Sequence, residues 1–166
     1  MQIVGDELQR LALAERDPLN FDLLGRSAFN RYYYATYLTT REMLAMMESS
    51  WKSTSHSNIP DLLKISLKNR ASTQLKNQVK RGLIDRAEES RILTSIYALS
   101  CELADLLKFA YDARVFADYQ PEILIIREEN VISLKSHKIT TAQQWPNRAN
   151  VICKQLLKHW RRIGLA

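Results

Sequence analysis

A sustained heptad pattern between about Asp85 and Val115 constrains the fold of this chain more than any other feature. Its apolar residues recur at alternating spacings of four and three, and they are Ile92, Ile96, Leu99, Leu103, Leu106 and Ala110. This period is typical of a helix that packs nearly antiparallel against a neighbouring helix or against a second copy of itself. The pattern therefore predicts a long helix in a bundle or at a dimer interface.

Helical periodicity also covers the N-terminal part of the chain. A first helix is predicted from about Ile3 to Arg16, and Asp17-Pro18 ends it, because the residue before a proline avoids the helical region. The second helix is predicted from about Leu19 to Met47, and Arg31 falls on its apolar stripe. A charge on that stripe needs a partner or a functional role.

The remaining segments complete a predicted all-α fold. A short amphipathic helix begins near Pro60, and we interpret the basic segment after it as helical. Two apolar runs, Ile123–Ile126 and Val131–Leu134, flank a polar turn and predict a small β-hairpin near residues 122–135. A last helix is predicted from about Thr140 to Trp160. With only four Gly and four Pro, the chain is predicted to form an antiparallel up-down bundle of four to five helices, in a single domain spanning 1–166.

Several kinds of chemistry lack their sequence motifs. There is no GxxxxGK[ST] phosphate loop, no GxGxxG motif, and no Glu followed three residues later by His, as di-iron bundles require. The three histidines are His56, His137 and His159, and no cysteine lies near any of them in sequence, which argues against a zinc site. We therefore expect no metal and no organic cofactor.

The cysteines and the apolar runs indicate a cytoplasmic protein. Cys101 and Cys153 lie in apolar helical surroundings, so we expect them to be buried free thiols. No apolar run approaches the roughly 20 residues that a membrane-spanning helix requires, and the N-terminus carries no charged segment followed by an apolar one. We therefore expect no membrane partner.

Basic residues are clustered along the chain, whose formal net charge is +6. Between Lys64 and Arg86 there are seven basic residues and one acid, and from Val131 to the C-terminus there are seven and no acid. Such clusters attract polyanions such as RNA. A basic face that only keeps the protein in solution would have the same composition.

Three motifs, in order along the chain, resemble those of the HEPN family. The segment Arg31-Tyr-Tyr-Tyr-Ala-Thr-Tyr37, followed by Arg41, resembles that family's second-helix signature, Arg-x-Tyr-Tyr-Ala-x-Phe with a later Arg. Ser55-His56 stands where the family has a Thr/Ser-His pair. Arg114-Val-Phe-Ala-Asp-Tyr119 resembles its late signature, Arg-x-x-Ala-Asp-Tyr. The resemblance spans roughly residues 5–163, with the basic central segment and the hairpin as departures.

The resemblance implies a bundle of four or five helices and a homodimer in which the late motifs of two subunits face each other. Many members are metal-independent endoribonucleases that use Arg-x(4–6)-His. They occur in phage defence and as toxins of toxin–antitoxin pairs, often beside a small nucleotidyltransferase. Other members lack the histidine and act as binding modules. The resemblance thus implies an RNA- or nucleotide-associated module with a nucleotidyltransferase-type or other defence partner.

The candidate catalytic residues for metal-free RNA cleavage are Arg114, Tyr119 and His56. Whether the chain is an enzyme stays open. Such cleavage needs a base, an acid and a cation at the phosphate; histidine, with a pKa of about 6.5, suits the first two roles and arginine the third. With four to six residues between Arg114 and the family's histidine, the histidine would stand at Tyr119, Gln120 or Pro121. A tyrosine ordinarily has a pKa of about 10 and is a poor base. The alternative function is therefore an active endoribonuclease with a composite Arg/His/Tyr site, provided that the loop of His56 folds over Arg114.

The candidate binding residues are Arg31, Tyr33, Tyr34, Arg41 and Asp118. Each has a structural alternative: Arg31 could be a buried paired charge that fixes helix register, and the tyrosines could be core aromatics. Arg114 could pair with Asp112 or Asp118. Tyr119 is the candidate for modification by a partner nucleotidyltransferase. A third interpretation is a non-catalytic protein-interaction subunit that binds its partner through the helical seam.

Overall fold

A computed structural model describes residues 1–165, and 78% of the chain is helical. The helices are α1 (Gln2–Ala14), α2 (Pro18–Met47), α3 (Ile59–Asp61), α4 (Lys68–Lys80), α5 (Arg86–Tyr119) and α6 (Ile139–Arg162). A 3₁₀ turn at Ser49–Ser53 follows α2, and a π-helical stretch at Leu62–Leu67 joins α3 to α4 without a break. The predicted all-α class with a small hairpin is confirmed.

The small sheet contains the predicted hairpin and one further strand. Strands β1 (Ile125–Glu128), β2 (Val131–Leu134) and β3 (His137–Lys138) are antiparallel in the order β1-β2-β3. Glu129 and Lys135 follow the first two strands with φ of 54° and 55°, a left-handed conformation that lets a short connection reverse the chain. Strand β3 was not predicted, because two residues are too few to show a strand period.

Helix α5 confirms the heptad pattern and extends past its predicted end. Its buried apolar residues include Ile92, Ile96, Leu103, Leu106 and Ala110, while Leu99 is half-buried. The helix continues to Tyr119 rather than ending near Val115, since the first proline beyond that point is Pro121. The late motif from Arg114 to Tyr119 therefore has helical spacing.

The residues cluster into two compact units. Unit 1 comprises Met1–Leu38 and Leu107–Arg148, and unit 2 comprises Thr39–Leu106 with the chain from Ala149 onward. The chain passes from one unit to the other three times, and each passage lies inside a helix: α2, α5 and α6. Neither unit is a continuous stretch of sequence.

In unit 1, α1 packs closely on α2. A Cβ atom at Gly5 would lie 2.8 Å from Cε1 of the buried Tyr32, so a larger residue would displace that ring. The Tyr32 hydroxyl lies 2.9 Å from Oδ1 of Asp6 and 2.7 Å from Oε1 of Gln9. These contacts fix the first helix on the second with both an apolar and a polar component.

In unit 2, α6 packs against the end of α2. Trp160 is buried; its Nε1 donates to the carbonyl of Met47 at 3.2 Å, and its ring centroid lies 5.7 Å from that of Trp51. Cys153 is a buried free thiol as predicted, and burial raises its pKa to about 12. Cys101 is also a free thiol but is only half-buried.

Candidate functional site

The late motif forms a charged cluster on the last turns of α5. The Arg114 Nε atom lies 2.7 Å from Oδ2 of Asp118, and Nη2 donates to the Tyr119 hydroxyl at 3.1 Å. The Nε–H group makes no aligned hydrogen bond, so the contact with Asp118 is an ion pair of close charges. The rings of Tyr119 and Tyr111 lie 5.0 and 5.9 Å from the guanidinium. Of the two acids that the sequence offered, Asp118 is the partner of Arg114.

The neighbours of Arg114 hold it in its charged form. Burial lowers the pKa of Arg114, but the charge of Asp118 and the Tyr119 hydroxyl raise it by more, so that it lies above its ordinary value. Asp118 also accepts a hydrogen bond from Nδ2 of Asn30 on α2 at 2.6 Å. The Arg114 and Asp118 side chains are only 16% and 25% exposed, whereas Tyr119 is 64% exposed. The phenol of Tyr119 is thus exposed to solvent, whereas the guanidinium of Arg114 is paired with the carboxylate of Asp118.

Tyr33 lies in the core of unit 1. It is 2% exposed, and its ring centroid lies 5.4 Å from Tyr34, 6.2 Å from Tyr37 and 5.9 Å from Tyr111. Burial raises the pKa of Tyr33 well above its ordinary value. A base-stacking platform requires an open ring face, so Tyr33 matches the core-aromatic alternative. Tyr34 is half-buried beside it.

The buried arginine of α2 is Arg26, and the expectation of a buried, paired Arg31 is wrong. Arg31 is half-buried, and its Nη1 atom lies 3.9 Å from the sulfur of Met1. Arg26 stands five residues earlier, an offset of about 140° around a helix, and is 9% exposed. The buried residues of this part of α2 are Gly25, Arg26, Ala28 and Phe29, and Arg31 is not among them.

Arg26 binds the C-terminal end of α5. Its Nε donates to Oδ2 of Asp22, and its two terminal nitrogens lie 2.5 to 3.3 Å from the carbonyl oxygens of Phe116, Ala117, Gln120, Pro121 and Ile123. The other oxygen of Asp22 accepts from the backbone N–H of Ile125 at 2.9 Å. The bonds to Phe116 and Ala117 satisfy carbonyl groups that a helix leaves unpaired at its end, and the other three hold the segment that follows α5. The sequence signal that could have identified this pair is its i, i+4 spacing beside Gly25, Ala28 and Phe29, all of which are buried.

The two other candidate residues, Arg41 and His56, belong to unit 2, whereas the remaining candidates belong to unit 1. Arg41 is exposed on α2. His56 is half-buried in the turn between Ser53 and Ile59. The structure thus joins Arg114, Asp118 and Tyr119 into one cluster within unit 1.

A second polar cluster, which was not predicted, lies in unit 2 between α5 and α6. It surrounds a pocket of about 260 Å³ that is lined by Ser95, Leu99, Gln155, Lys158, His159 and Arg162. The Ser95 Oγ atom and the His159 Nε2 atom are 3.1 Å apart. Burial lowers the pKa of His159, and the cations of Arg162 and Lys158 lower it further. The ring is therefore neutral at pH 7.

The net charge is divided unequally between the units. Unit 2 holds 14 of the 24 basic residues and 8 of the 18 acids, so it carries the whole charge of +6. Unit 1 holds ten of each and is neutral. Any attraction of a polyanion by net charge is therefore a property of unit 2.

Comparison with known proteins identifies no relative. No family model matches this sequence, and neither the curated proteins nor the solved structures give a match to it. Within residues 1–165, no group of three or more His, Cys, Asp or Glu side chains is placed to hold a metal ion. None of the helices in that part of the chain is long and apolar enough to cross a membrane. Function is therefore inferred from the chain's own residues.

Proposed function

We propose that this chain is a HEPN-like module that binds RNA through a basic surface of unit 2 and does not cleave RNA at the Arg114 motif. The observation that carries this proposal is the location of the whole +6 charge in unit 2. The basic surface consists of exposed cations on and just after α4 and on α6: Lys76, Lys80, Arg81, Lys154, Lys158 and Arg161. Such residues gain affinity for a polyanion chiefly by releasing its counterions.

Three other cations of unit 2 make contacts within the protein and are outside this set. Lys64 lies 2.7 Å from Asp105, and Arg162 lies 2.6 Å from Glu88. Lys68 instead lies 4.2 Å from the centre of the Tyr97 ring. We therefore expect RNA binding by unit 2 to depend on the cations of the basic surface and not on these three residues.

The contacts of Arg114 support a role without catalysis. A guanidinium that grips a phosphate must first give up its bonds to Asp118 and Tyr119, and separating a half-buried ion pair is unfavourable. Tyr119 also stands where the family's histidine would be expected. Both features favour a module that binds RNA over one that cleaves it.

Fluorescence anisotropy with a labelled, mixed-sequence single-stranded RNA tests the proposal. The variant K76Q/K80Q/R81Q removes three charges from unit 2, and the control R16Q/K108Q/K138Q removes three exposed charges from unit 1. Each phosphate contact contributes about 0.7 to the slope of log K against log salt, so we expect the unit 2 variant to reduce that slope by about 2. The control should keep the slope of the wild type. Equal losses in the two variants would contradict the proposal.

A second candidate function, metal-independent RNA cleavage, is favoured by the contact between Arg114 and the exposed Tyr119 hydroxyl. It is tested by incubating a pool of labelled RNA with the protein in EDTA, using Arg114→Ala, Tyr119→Phe and His56→Ala as variants. We expect no cleavage by the wild type over a wide range of protein concentration. If the wild type cleaves RNA and both Arg114→Ala and Tyr119→Phe abolish cleavage, the protein is a nuclease and the proposal of binding without cleavage is wrong.

The family resemblance extends the proposal to partners. We propose a homodimer in a defence or toxin–antitoxin system, with a nucleotidyltransferase-type partner acting on Tyr119. The exposure of that phenol on the last turn of α5 supports this choice of residue. Light scattering of the purified protein tests the dimer. A mass spectrum of the co-expressed protein without an added nucleotide mass on the wild type would contradict the modification.

A further inference from the structure

The pocket of unit 2 is built from matching faces of two antiparallel helices. Ser95 and Leu99 are one turn apart on α5, and Gln155, His159 and Arg162 recur at i, i+4 and i+7 on α6. The Ser95–His159 contact and the Arg162–Glu88 contact, two turns toward the start of α5, show that the helices run in opposite directions. The pocket walls are therefore fixed by regular secondary structure rather than by a loop.

The lining of the pocket has the chemistry of an anion site. Lys158 and Arg162 supply two cations, Ser95 and Gln155 supply neutral donors, and no acid lines the pocket. Glu88 pairs with Arg162 at 2.6 Å, but the Arg162 side chain is 57% exposed and so remains accessible from solvent. The volume of about 260 Å³ corresponds to roughly nine waters, which is enough for a phosphate and part of an attached sugar.

Cations are common at the ends of helices, but that tendency does not account for this arrangement. His159, Arg161 and Arg162 stand in the last turn of α6, where positive charge complements the helix dipole. A dipole effect alone would leave a histidine in solvent. Here the His159 ring is half-buried and lies against the Ser95 hydroxyl, with Lys158 before it and Arg162 after it in sequence. That combination of a hydroxyl, an imidazole and two cations around one pocket matches the donors that an anion requires.

We propose that this pocket binds a phosphomonoester, with Lys158 and Arg162 neutralising the dianion and Ser95, Gln155 and His159 bonding its oxygens. The charged groups around His159 are Lys158 and Arg162 on α6, with Glu88 on α5 offsetting part of the Arg162 charge. A bound dianion would offset the two cations and allow the ring to take up a proton and donate. The pKa of His159 is therefore expected to rise when the dianion binds.

Where the phosphate belongs to RNA, the inference rests on the proposed function; where it belongs to a free phosphate or a mononucleotide, it does not. The shared chemistry is a terminal phosphate, which carries a second negative charge that phosphodiesters lack. Inorganic phosphate, 5′-AMP and a pair of RNA oligomers with either a 5′-phosphate or a 5′-hydroxyl separate these sources. A site for terminal phosphate prefers the phosphorylated oligomer, whereas the basic surface alone binds both equally.

The test is a titration of the full chain with inorganic phosphate and with 5′-AMP, followed by imidazole NMR signals and by calorimetry. The His159 signal is assigned with His159→Gln, which can keep a hydrogen bond to Ser95. Lys158→Gln removes one lining cation, and the control Lys52→Gln removes an exposed lysine of unit 2 that neither lines the pocket nor belongs to the basic surface. We expect about tenfold weaker binding for Lys158→Gln, as for loss of one charged hydrogen bond, and no change for Lys52→Gln.

Two outcomes would overturn the site. One is that neither phosphate nor 5′-AMP moves the His159 signal at any concentration tested. The other is that Lys158→Gln and Lys52→Gln weaken binding equally, which would show a general charge effect. Circular dichroism of each variant confirms that it is folded. The protein could bind phosphate with a raised pKa of His159 and yet bind no RNA. That result would support the phosphate site and contradict the proposed function.

Discussion

The two units use their cations in opposite ways. In unit 1, Arg26 bonds the carbonyl groups at the end of α5, and Arg127 does the same for α1, donating from Nη2 to the carbonyls of Ala12 and Glu15 at 2.7 and 2.9 Å. The Arg127 guanidinium also lies 4.3 Å from the centre of the Phe21 ring. In unit 2, by contrast, exposed cations on α4 and α6 outnumber the acids around them.

This difference shows that a residue count cannot separate a structural arginine from a binding one. An arginine whose donors meet helix carbonyls is a capping group, and its removal should act on the free energy of unfolding. A lysine or arginine in solvent contributes little to stability and is available to a polyanion. Variants of the two kinds should therefore separate stability from binding.

The largest expected effect is that of Arg26→Met. It leaves Asp22 without its cation and removes the donors of five carbonyl contacts, so we expect the free energy of unfolding to fall by about 3–5 kcal/mol. Urea unfolding followed by circular dichroism measures it. The control Arg31→Met lies on the same helix and should change stability by no more than about 0.5 kcal/mol. Similar losses in both variants would remove the distinction between a capping arginine and an ordinary one.

Arg127→Leu should give an intermediate effect. Its two hydrogen bonds to α1 carbonyls and its contact with Phe21 lie partly in solvent, so we expect a loss of about 1–2 kcal/mol. Lys138→Leu, on the exposed side of strand β3, is the matched control in the same sheet. If Lys138→Leu lowers the free energy of unfolding as much as Arg127→Leu does, the effect of Arg127→Leu arises from the sheet rather than from the end of α1.

A smaller effect is expected from the pH dependence of unit 1. His137 is 3% exposed, with its ring 4.5 Å from Phe109; burial lowers its pKa, an effect that Asp112 opposes and Lys135 reinforces. Since its pKa is lower in the folded than in the unfolded chain, the unfolded chain binds more protons in acid. This contribution to stability is full above about pH 6.5 and declines as the pH falls below it. Urea unfolding near pH 8 and near pH 5 should show a smaller acid loss for His137→Gln than for the wild type; equal losses would contradict the assignment.

The smallest expected effect on stability is that of Arg70→Gln in unit 2. Arg70 lies 3.6 Å from Glu48, and the two side chains are 54% and 34% exposed, so we expect a change within about 0.5 kcal/mol. A stability loss comparable to that of Arg127→Leu would show that unit 2 also uses its cations as structural groups.

Local periodicity was sufficient to predict most of the fold. The heptad seam of α5, the long α2, the closing helix α6 and the hairpin all depend on patterns that repeat within a few residues. The Arg114–Asp118 pair was among the stated alternatives for the same reason, since its partners are four residues apart. The HEPN resemblance and the RNA association remain predictions.

The features that were not predicted depend on long-range contacts. The carbonyl partners of Arg26 are 90 to 97 residues away in sequence, and Ser95 is 64 residues from His159. No local pattern marks such pairs, and the predicted apolar stripe of α2 included Arg31 rather than Arg26. The positions of Gly25, Ala28 and Phe29 around α2 could have placed Arg26 on the buried face.

The three passages of the chain between the units have a consequence for how this protein can be divided. Because each passage lies inside α2, α5 or α6, no single cut in the gene yields one whole unit, and a protease would have to break a helix to separate them. Deleting residues 1–38 would remove about half of unit 1 and leave the other half without the residues it packs against. Exchange of either unit with another protein would therefore require segments that are joined within helices.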